Sequence, residues 1–197
     1  MVKRAVCEGC DRPLKTCLCD TLVTMTCPYR LIILQDVKEA KHALSSAPIL
    51  EKSIAGAVRV VGEDFDPTVI IGPAWQEESV LVFPSERAIT ADQFVGKNIR
   101  NLILLDGTWR KVARLIYLNP WLTALPRIAI QAEMASQYKI RKSPRVDGLA
   151  TIEAAVAALN SLLPDQDYSV ILPAFLKMVD LQIEAMGPTT YKKNHPL

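Results

Sequence analysis

The residues best placed to do chemistry are Asp106, Gly107 and Thr108. They end the apolar run Leu102-Ile103-Leu104-Leu105 and stand directly before a pattern of helical period that begins at Trp109. A carboxylate in that position sits at the carboxyl end of a buried strand, where open α/β sheets bind their ligands. It is suited to accept a proton or to hold a polar ligand, and short acids also cap helices. Thr108 is placed to cap the helix or to touch a ligand. Trp109 opens an inward stripe and reads as core first, with stacking on a planar ring as the alternative.

A second cluster lies near the start of the chain. Cys7-x2-Cys10 and Cys17-x-Cys19 form two close pairs within thirteen residues, the spacing of a four-thiolate tetrahedral zinc site. Gly9 supplies the turn of the first knuckle, and Lys3, Arg12 and Lys15 offset part of the thiolate charge. A redox Cys-x-x-Cys is the weaker alternative, because neither flank reads as a strand leading into a helix. Cys27, beside Pro28, reads as an ordinary small apolar residue.

These groups need a scaffold. Residues 1–26 read as the knuckle and its connector, and residues 27–197 as one further domain. Strands are predicted at Tyr29–Leu34, Thr68–Ile71, Ser79–Phe83, Asn101–Leu105 and Pro126–Ile130. Helices are predicted at Pro48–Val61, with Ser46 as cap, at Thr108–Tyr117, from Thr151 as cap to Leu163, and at about Val170–Met186, with Pro173 in its first turn. In the helix after Asp106, Trp109, Val112, Ala113, Ile116 and Tyr117 are expected inward, and Arg110, Lys111 and Arg114 outward. Glu153 suits the first turn of its helix through the macrodipole. Strands alternating with helices imply an α/β fold, a mostly parallel sheet with helices on both faces.

Composition excludes several classes. The chain has 197 residues, half of them hydrophobic, and a formal charge of only +2, so any nucleic-acid surface must come from local basic clusters. No apolar run reaches bilayer length. The amino terminus leads into cysteines without the apolar core of a signal peptide. A reducing, cytoplasmic setting is expected, in which five cysteines do not form a disulfide framework. None of the eight glycines forms a Gly-x-Gly pair, so the dinucleotide fingerprint and the phosphate-binding loop are both missing. With only His42 and His195 there is no apparent Ser/His/Asp triad. His42 reads as a solvated histidine beside a helix rather than as a base.

Asp106-Gly107-Thr108-Trp109 resembles the Asp-x-Thr-Trp signature of the DTW-domain proteins. Cys7, Cys10, Cys17 and Cys19 resemble the family's amino-terminal knuckle, and Leu81-Val82-Phe83-Pro84-Ser85-Glu86 its "LFPS" strand end. Asn119-Pro120 and Leu125-Pro126-Arg127 match the stretch after the signature helix. Tyr138–Pro144, followed by Leu149-Ala150-Thr151-Ile152-Glu153-Ala154, is similar to its "Y-x-x-R-K-x-P … L-S-T-x-E-A" segment. The order and spacing of these segments make the resemblance specific over nearly the whole chain. Departures fall between Gln35 and Ala47, where the family's His-Pro-x-Glu and Thr-Asn-Thr-Gly are replaced although Glu39, Ser45 and Ser46 keep an acid and two hydroxyls, and at Ala150, which replaces a serine.

The resemblance implies transfer of the 3-amino-3-carboxypropyl arm of S-adenosylmethionine to N3 of a tRNA uridine, with release of methylthioadenosine. It also implies a SPOUT-like fold with a carboxyl-terminal trefoil knot. Within it Asp106 is the catalytic candidate, as the base at N3 or as a group binding the donor; capping alone is the remaining alternative. Donor contacts are expected from Pro84, Ser85, Leu105, Gly107, Thr108, Trp109, Leu125, Leu149, Ala150 and Thr151, the last three beside a helix amino terminus. The acceptor is expected on the loop residues Tyr138, Lys139, Arg141, Lys142 and Arg145, and on Arg110, Lys111 and Arg114 unless these form only a solvated face. Zinc is expected on the four cysteines, as a purely structural metal or with a contact to RNA. The partner implied is tRNA; the chain suggests no membrane and no obligate protein partner. Two other readings stay open: a non-catalytic RNA-binding module, and a SPOUT-type RNA methyltransferase using the same donor.

Overall fold

The computed structural model describes residues 5–84, 88–94, 97–128, 136–138, 140, 148–187 and 190–191. In chain order the regular elements are β1 (Arg30–Gln35), α1 (Ala47–Ser53), β2 (Val58–Val61), α2 (Pro67–Ile70), α3 (Trp75–Glu78) and β3 (Ser79–Val82). They continue with β4 (Asn101–Asp106), α4 (Trp109–Leu118), α5 (Trp121–Ala124), β5 (Arg127–Ile128), α6 (Thr151–Leu162) and α7 (Leu172–Met186). The strands form one parallel sheet in the order β2-β1-β4-β3-β5.

Side chains alternate across each strand, and the two sets reach two separate cores. Leu31, Ile33, Val80, Val82, Leu102 and Leu104 pack under α1, α6 and α7. Ile32, Leu34, Leu81 and Ile103 pack under Phe65, Leu115, Leu122 and Leu125, on the α4 and α5 side. Burial on both faces explains why β1, β3 and β4 read as unbroken apolar runs rather than as alternating ones. The expected parallel sheet with helices on both faces is therefore the observed one.

The order of strands sets the position of the site. β1 connects to β2 through α1 on one face, whereas β4 connects to β5 through α4 and α5 on the other. The chain thus diverges between β1 and β4, whose register places Gln35 opposite Asp106. A crevice at the carboxyl ends of two such strands is the usual ligand position in an open α/β sheet.

Four local expectations are corrected. The helix predicted over Pro48–Val61 ends at Ser53, because Ile54 turns extended and bridges Met25, and Gly56 takes a left-handed φ of 78°. The valines that continue its apolar spacing instead form β2, which suits their branched Cβ atoms. The strand predicted at Thr68–Ile71 is the short helix α2: Pro67 starts it, and the Asp66 side chain accepts from the N–H groups of Thr68 at 2.8 Å and Val69 at 3.4 Å. In α4 the buried residues are Val112 and Leu115; Ala113 is exposed and Tyr117 is 82 % exposed, so the inward stripe is rotated from the expected one. Thr151 is the first residue of α6 rather than its cap. Ala150 takes the cap position, and the Glu153 Oε2 accepts from the Ala150 N–H at 2.7 Å. The end of the strand predicted to Ile130 and the segments on which the trefoil knot depends lie outside the described residues.

Candidate active site

Asp106 and Gln35 have the same parity as the residues under α1 and α6, so both side chains enter that face where the strands end. Asp106 is 3 % exposed. Its Oδ2 accepts from the Gln35 Nε2 at 2.7 Å and from the Ser45 Oγ at 3.2 Å, and its Oδ1 accepts from the Thr151 Oγ1 at 2.5 Å. Four segments far apart in sequence therefore meet on one carboxylate: the ends of β1 and β4, the loop before α1, and the first turn of α6.

The direction of two of these bonds is set by the neighbours. The Ser45 Oγ accepts from the Gln35 Nε2 at 2.9 Å and from the Ala47 N–H at 3.3 Å, which leaves its own proton for Asp106. The Gln35 Oε1 accepts from the Arg59 Nη1 at 2.7 Å, and the Arg59 Nε donates to the Glu51 Oε2 at 2.7 Å. Burial raises the Asp106 pKa above the ordinary carboxylate value; the bonds from Thr151, Gln35 and Ser45 oppose that rise, and the nearby Glu39 charge adds to it.

A second acidic group adjoins the first. Asp36 and Glu39 are 4 % and 1 % exposed. The Asp36 Oδ1 accepts from the N–H groups of Lys38 at 2.9 Å and Glu39 at 3.0 Å, which turns the chain away from β1. Lys111 Nζ lies 2.8 Å from the Glu39 Oε2 and 3.5 Å from the Asp36 Oδ1, and the bond to Glu39 raises the lysine pKa. Lys111, expected on the outer face, is thus turned inward and paired. Gly107 permits the approach: a Cβ there would stand 3.1 Å from the Lys111 Cβ and 3.7 Å from the Asp36 Cβ.

The other expected residues fall around this centre. The Thr108 side chain caps α4, accepting from the Lys111 N–H at 3.4 Å. Trp109 is half-buried, its ring 6.0 Å from that of Phe83 at a tilt of 58°, and the Arg127 guanidinium lies 5.5 Å from the Phe83 ring. Pro84, Leu105, Leu149 and Ala150 are partly exposed at the same carboxyl-end side of the sheet, whereas Leu125 is buried in the α4-side core. Arg110 is exposed, and Arg114 pairs with Glu63 at 2.8 Å. Tyr138, expected to offer a ring to nucleic acid, is instead 7 % exposed: it packs edge-on against Phe175, and its hydroxyl donates to the Leu44 carbonyl. His42 is exposed. Ser85, Lys139, Arg141, Lys142 and Arg145 lie outside the described residues, as does Lys3.

Of the partners of Asp106, Thr151 is among the expected donor residues and Ser45 is noted only as a retained hydroxyl, whereas Gln35 is not singled out by the sequence, although one signal is present. Gln35-Asp36 ends the apolar run of β1 in polar residues, as Asp106 ends that of β4. Arg59 carried no comparable mark, because it sat inside a segment read as helix.

The four cysteines converge, with ligand atoms all within 4.8 Å of one another. The Sγ separations are 3.4 Å for Cys7 and Cys19, 3.5 Å for Cys17 and Cys7, and 3.7 Å for Cys10 and Cys17. Tetrahedral zinc with Zn–S bonds of about 2.3 Å would place sulfurs about 3.8 Å apart, so the donor set fits such an ion. Gly9 leaves room for the Cys19 thiol here, since a Cβ would fall 2.8 Å from its Sγ. The Cys10 backbone N–H, with the Cys19 thiol and the Gly9 N–H, lowers Cys7 to about 6, whereas the thiols of Cys7, Cys17 and Cys10 push Cys19 up to about 12. A bound metal would replace the shared protons.

The knuckle is docked onto the rest of the fold. Leu18 is buried in the core beneath α1 and α7, Lys52 pairs with Asp11 at 2.8 Å, and Lys177 with Asp20 at 2.6 Å. Arg12 donates to the Ala43 carbonyl at 3.1 Å, one residue before the Leu44 carbonyl held by Tyr138 and two before Ser45. Burial lowers the Arg12 pKa.

Residues 4–183 match the model of the DTW domain family. The chain is 25 % identical to "tRNA-uridine aminocarboxypropyltransferase 2" of Macaca fascicularis, over 99 % of this chain and 69 % of that protein. It is 27 % identical to the protein of the same name from Mus musculus, over 81 % and 57 %, and 24 % identical to "tRNA-uridine aminocarboxypropyltransferase A" of Arabidopsis thaliana, over 94 % and 84 %. No solved structure matches. Among the described residues no helix is long and apolar enough to cross a membrane.

Proposed function

The chain belongs to the DTW-domain family, and from that premise we propose that it transfers the 3-amino-3-carboxypropyl group of S-adenosylmethionine to N3 of a tRNA uridine. The names of the relatives support the transferase class and its tRNA substrate. The observation that carries the reading is the buried carboxylate of Asp106, at the carboxyl ends of β1 and β4, whose onward connections run on opposite faces of the sheet.

The chemistry asks little of acid catalysis, because the sulfonium is already a good leaving group. Uridine N3 is protonated at neutral pH, so the reaction needs a base at that atom and an in-line approach to the γ-carbon. Asp106 has about four acceptor positions, and Gln35, Ser45 and Thr151 occupy three of them among the described residues. The remaining position receives the N3 proton. The N3 pair then forms the bond to the γ-carbon, the carbon–sulfur bond breaks, and its electron pair leaves on neutral methylthioadenosine. Burial suits Asp106 to this task, since a base works best with a pKa brought toward the working pH. Most of the remaining acceleration comes from alignment.

Thr151, first expected at the donor, serves Asp106 in this reading. The donor is held by Pro84, Ser85, Leu105, Gly107, Thr108, Trp109, Leu149 and Ala150, with Leu125 supporting them from the core. Arg110 and Arg114 face tRNA phosphates, together with the loop residues Lys139, Arg141, Lys142 and Arg145. The Arg114–Glu63 pair is exposed and therefore weak, so it yields readily to a phosphate. Zinc on Cys7, Cys10, Cys17 and Cys19 holds the knuckle against α1 and α7.

The test is to incubate the protein with S-adenosylmethionine and bulk tRNA, digest the RNA and measure nucleoside masses. An aminocarboxypropyl uridine is expected. A methylated nucleoside would make the protein a methyltransferase, and tRNA binding without any adduct would make it a binding module; either result overturns the proposal.

A further inference from the structure

We propose that Arg59 is a positioning residue, which fixes the orientation of the Gln35 amide so that a hydrogen-bond donor, not an acceptor, faces Asp106. A glutamine amide can turn either end toward a neighbour. Here the Oε1 end meets a guanidinium and the Nε2 end meets Ser45 and Asp106, at 2.7, 2.9 and 2.7 Å respectively. A guanidinium has donors only, so rotating the amide would bring donor against donor at Arg59 and acceptor against carboxylate at Asp106. The Arg59 bond to Glu51 in turn holds the guanidinium in place. Gln35 is wholly buried, so water does not relieve a wrong orientation.

The consequence concerns the proton on Asp106. A proton on Oδ1 requires the Thr151 hydroxyl to reverse and leaves Oδ2 a weaker acceptor for Gln35 and Ser45, whereas a proton on Oδ2 needs an acceptor there, which among the described residues means the Gln35 Oε1 that Arg59 holds away. Ser45 cannot substitute, because its lone pairs are taken by Gln35 and the Ala47 N–H. Arg59 therefore favours ionised Asp106 against the opposing effect of burial, acting from β2 without touching the carboxylate. Glu39 is the charge that acts on Asp106, and the elements around it also carry Asp36 on the loop after β1, Lys111 on α4, Glu51 on α1 and Glu153 on α6. The role in catalysis rests on the proposed transferase reading; the effect on Asp106 does not.

The experiment is therefore a titration without donor or tRNA. The Asp106 carboxyl carbon is followed by nuclear magnetic resonance, with Asp106→Asn used for assignment. In Arg59→Gln, whose side chain can meet Gln35 with either end, the half-titration point of Asp106 is expected to move up, and transfer at neutral pH to fall about tenfold. Arg59→Lys, a donor-only cation, is expected to titrate close to the parent. Glu51→Gln, which weakens the same edge of the fold but leaves the Arg59–Gln35 bond, is expected to do so as well. An Asp106 titration unchanged in folded Arg59→Gln, or moved equally by Glu51→Gln, would overturn the proposal. The parent protein supplies a test that no folding defect can spoil: the Gln35 side-chain N–H resonances must titrate together with Asp106. Amide resonances indifferent to Asp106 would refute the orientation directly.

Discussion

Asp106 is under two opposed influences: burial favours its protonated form and three donors favour its ionised form. Because the raised pKa is the net outcome, transfer is expected to have an acid limb above the ordinary carboxylate range, measurable as the pH dependence of kcat/KM. Asp106→Asn is expected to fold, since the Thr151 hydroxyl can reverse to accept from the new amide while its oxygen still faces Gln35 and Ser45. Loss of the base is expected to lower transfer by at least about a hundredfold, and the acid limb should vanish with it. Stability carries the same signature with the opposite sign from ordinary acid unfolding. Between the unfolded carboxylate value and the raised folded one, the native state binds more protons than the unfolded state. Native stability attributable to Asp106 is therefore lost as pH rises through that window. Parallel thermal melts should show the parent losing stability relative to Asp106→Asn over that range as pH increases.

At the scale of elements, α6 and the β1–α1 loop meet on the Asp106 carboxylate. Lys111 ties α4 to that loop through Glu39 and Asp36. Its removal takes a counter-charge from two buried acids. Breaking a fully buried pair costs about 3–5 kcal/mol, and discounting for the partly exposed lysine leaves about 2 kcal/mol for Lys111→Gln. For a domain of this size that is a loss of roughly 4–8 °C in Tm by calorimetry. The same contacts explain what could be read from the sequence and what could not. The strand end at Asp106 was legible because its signal is local: an apolar run that stops in an acid. The four cysteines were legible for the same reason. Gln35 was hidden because its partner lies 71 positions away, and only the parallel register brings the two together. β2 reads as helix in the sequence because Val58 and Val61 continue the helical spacing from Ile54, and the left-handed Gly56 that separates them from α1 carries no periodic mark. Tyr138 was read as a surface ring because its sequence neighbours are basic; Phe175 and Leu44, which bury it, are remote in sequence.

Across the whole molecule, the knuckle and the loop that meets Asp106 are mechanically joined. Arg12 leaves the cysteine loop and holds the Ala43 carbonyl, and two residues later Ser45 donates to Asp106. Freshly purified protein is expected to contain about one zinc per chain by elemental analysis. Chelation is expected to lower Tm and to expose the surface that Leu18 now buries. Protein purified without metal and melting identically with and without added zinc would remove the metal from this description. The central claim, however, is which carbon of the donor reaches the RNA. Its most direct test uses S-adenosylmethionine labelled separately in the methyl group and in the carboxyl group, with bulk tRNA, the parent protein and Asp106→Asn. The carboxyl label is expected in tRNA uridine with the parent and to be strongly reduced with Asp106→Asn, while the methyl label stays in methylthioadenosine. Methyl label in the tRNA, or undiminished carboxyl transfer by Asp106→Asn, would contradict it.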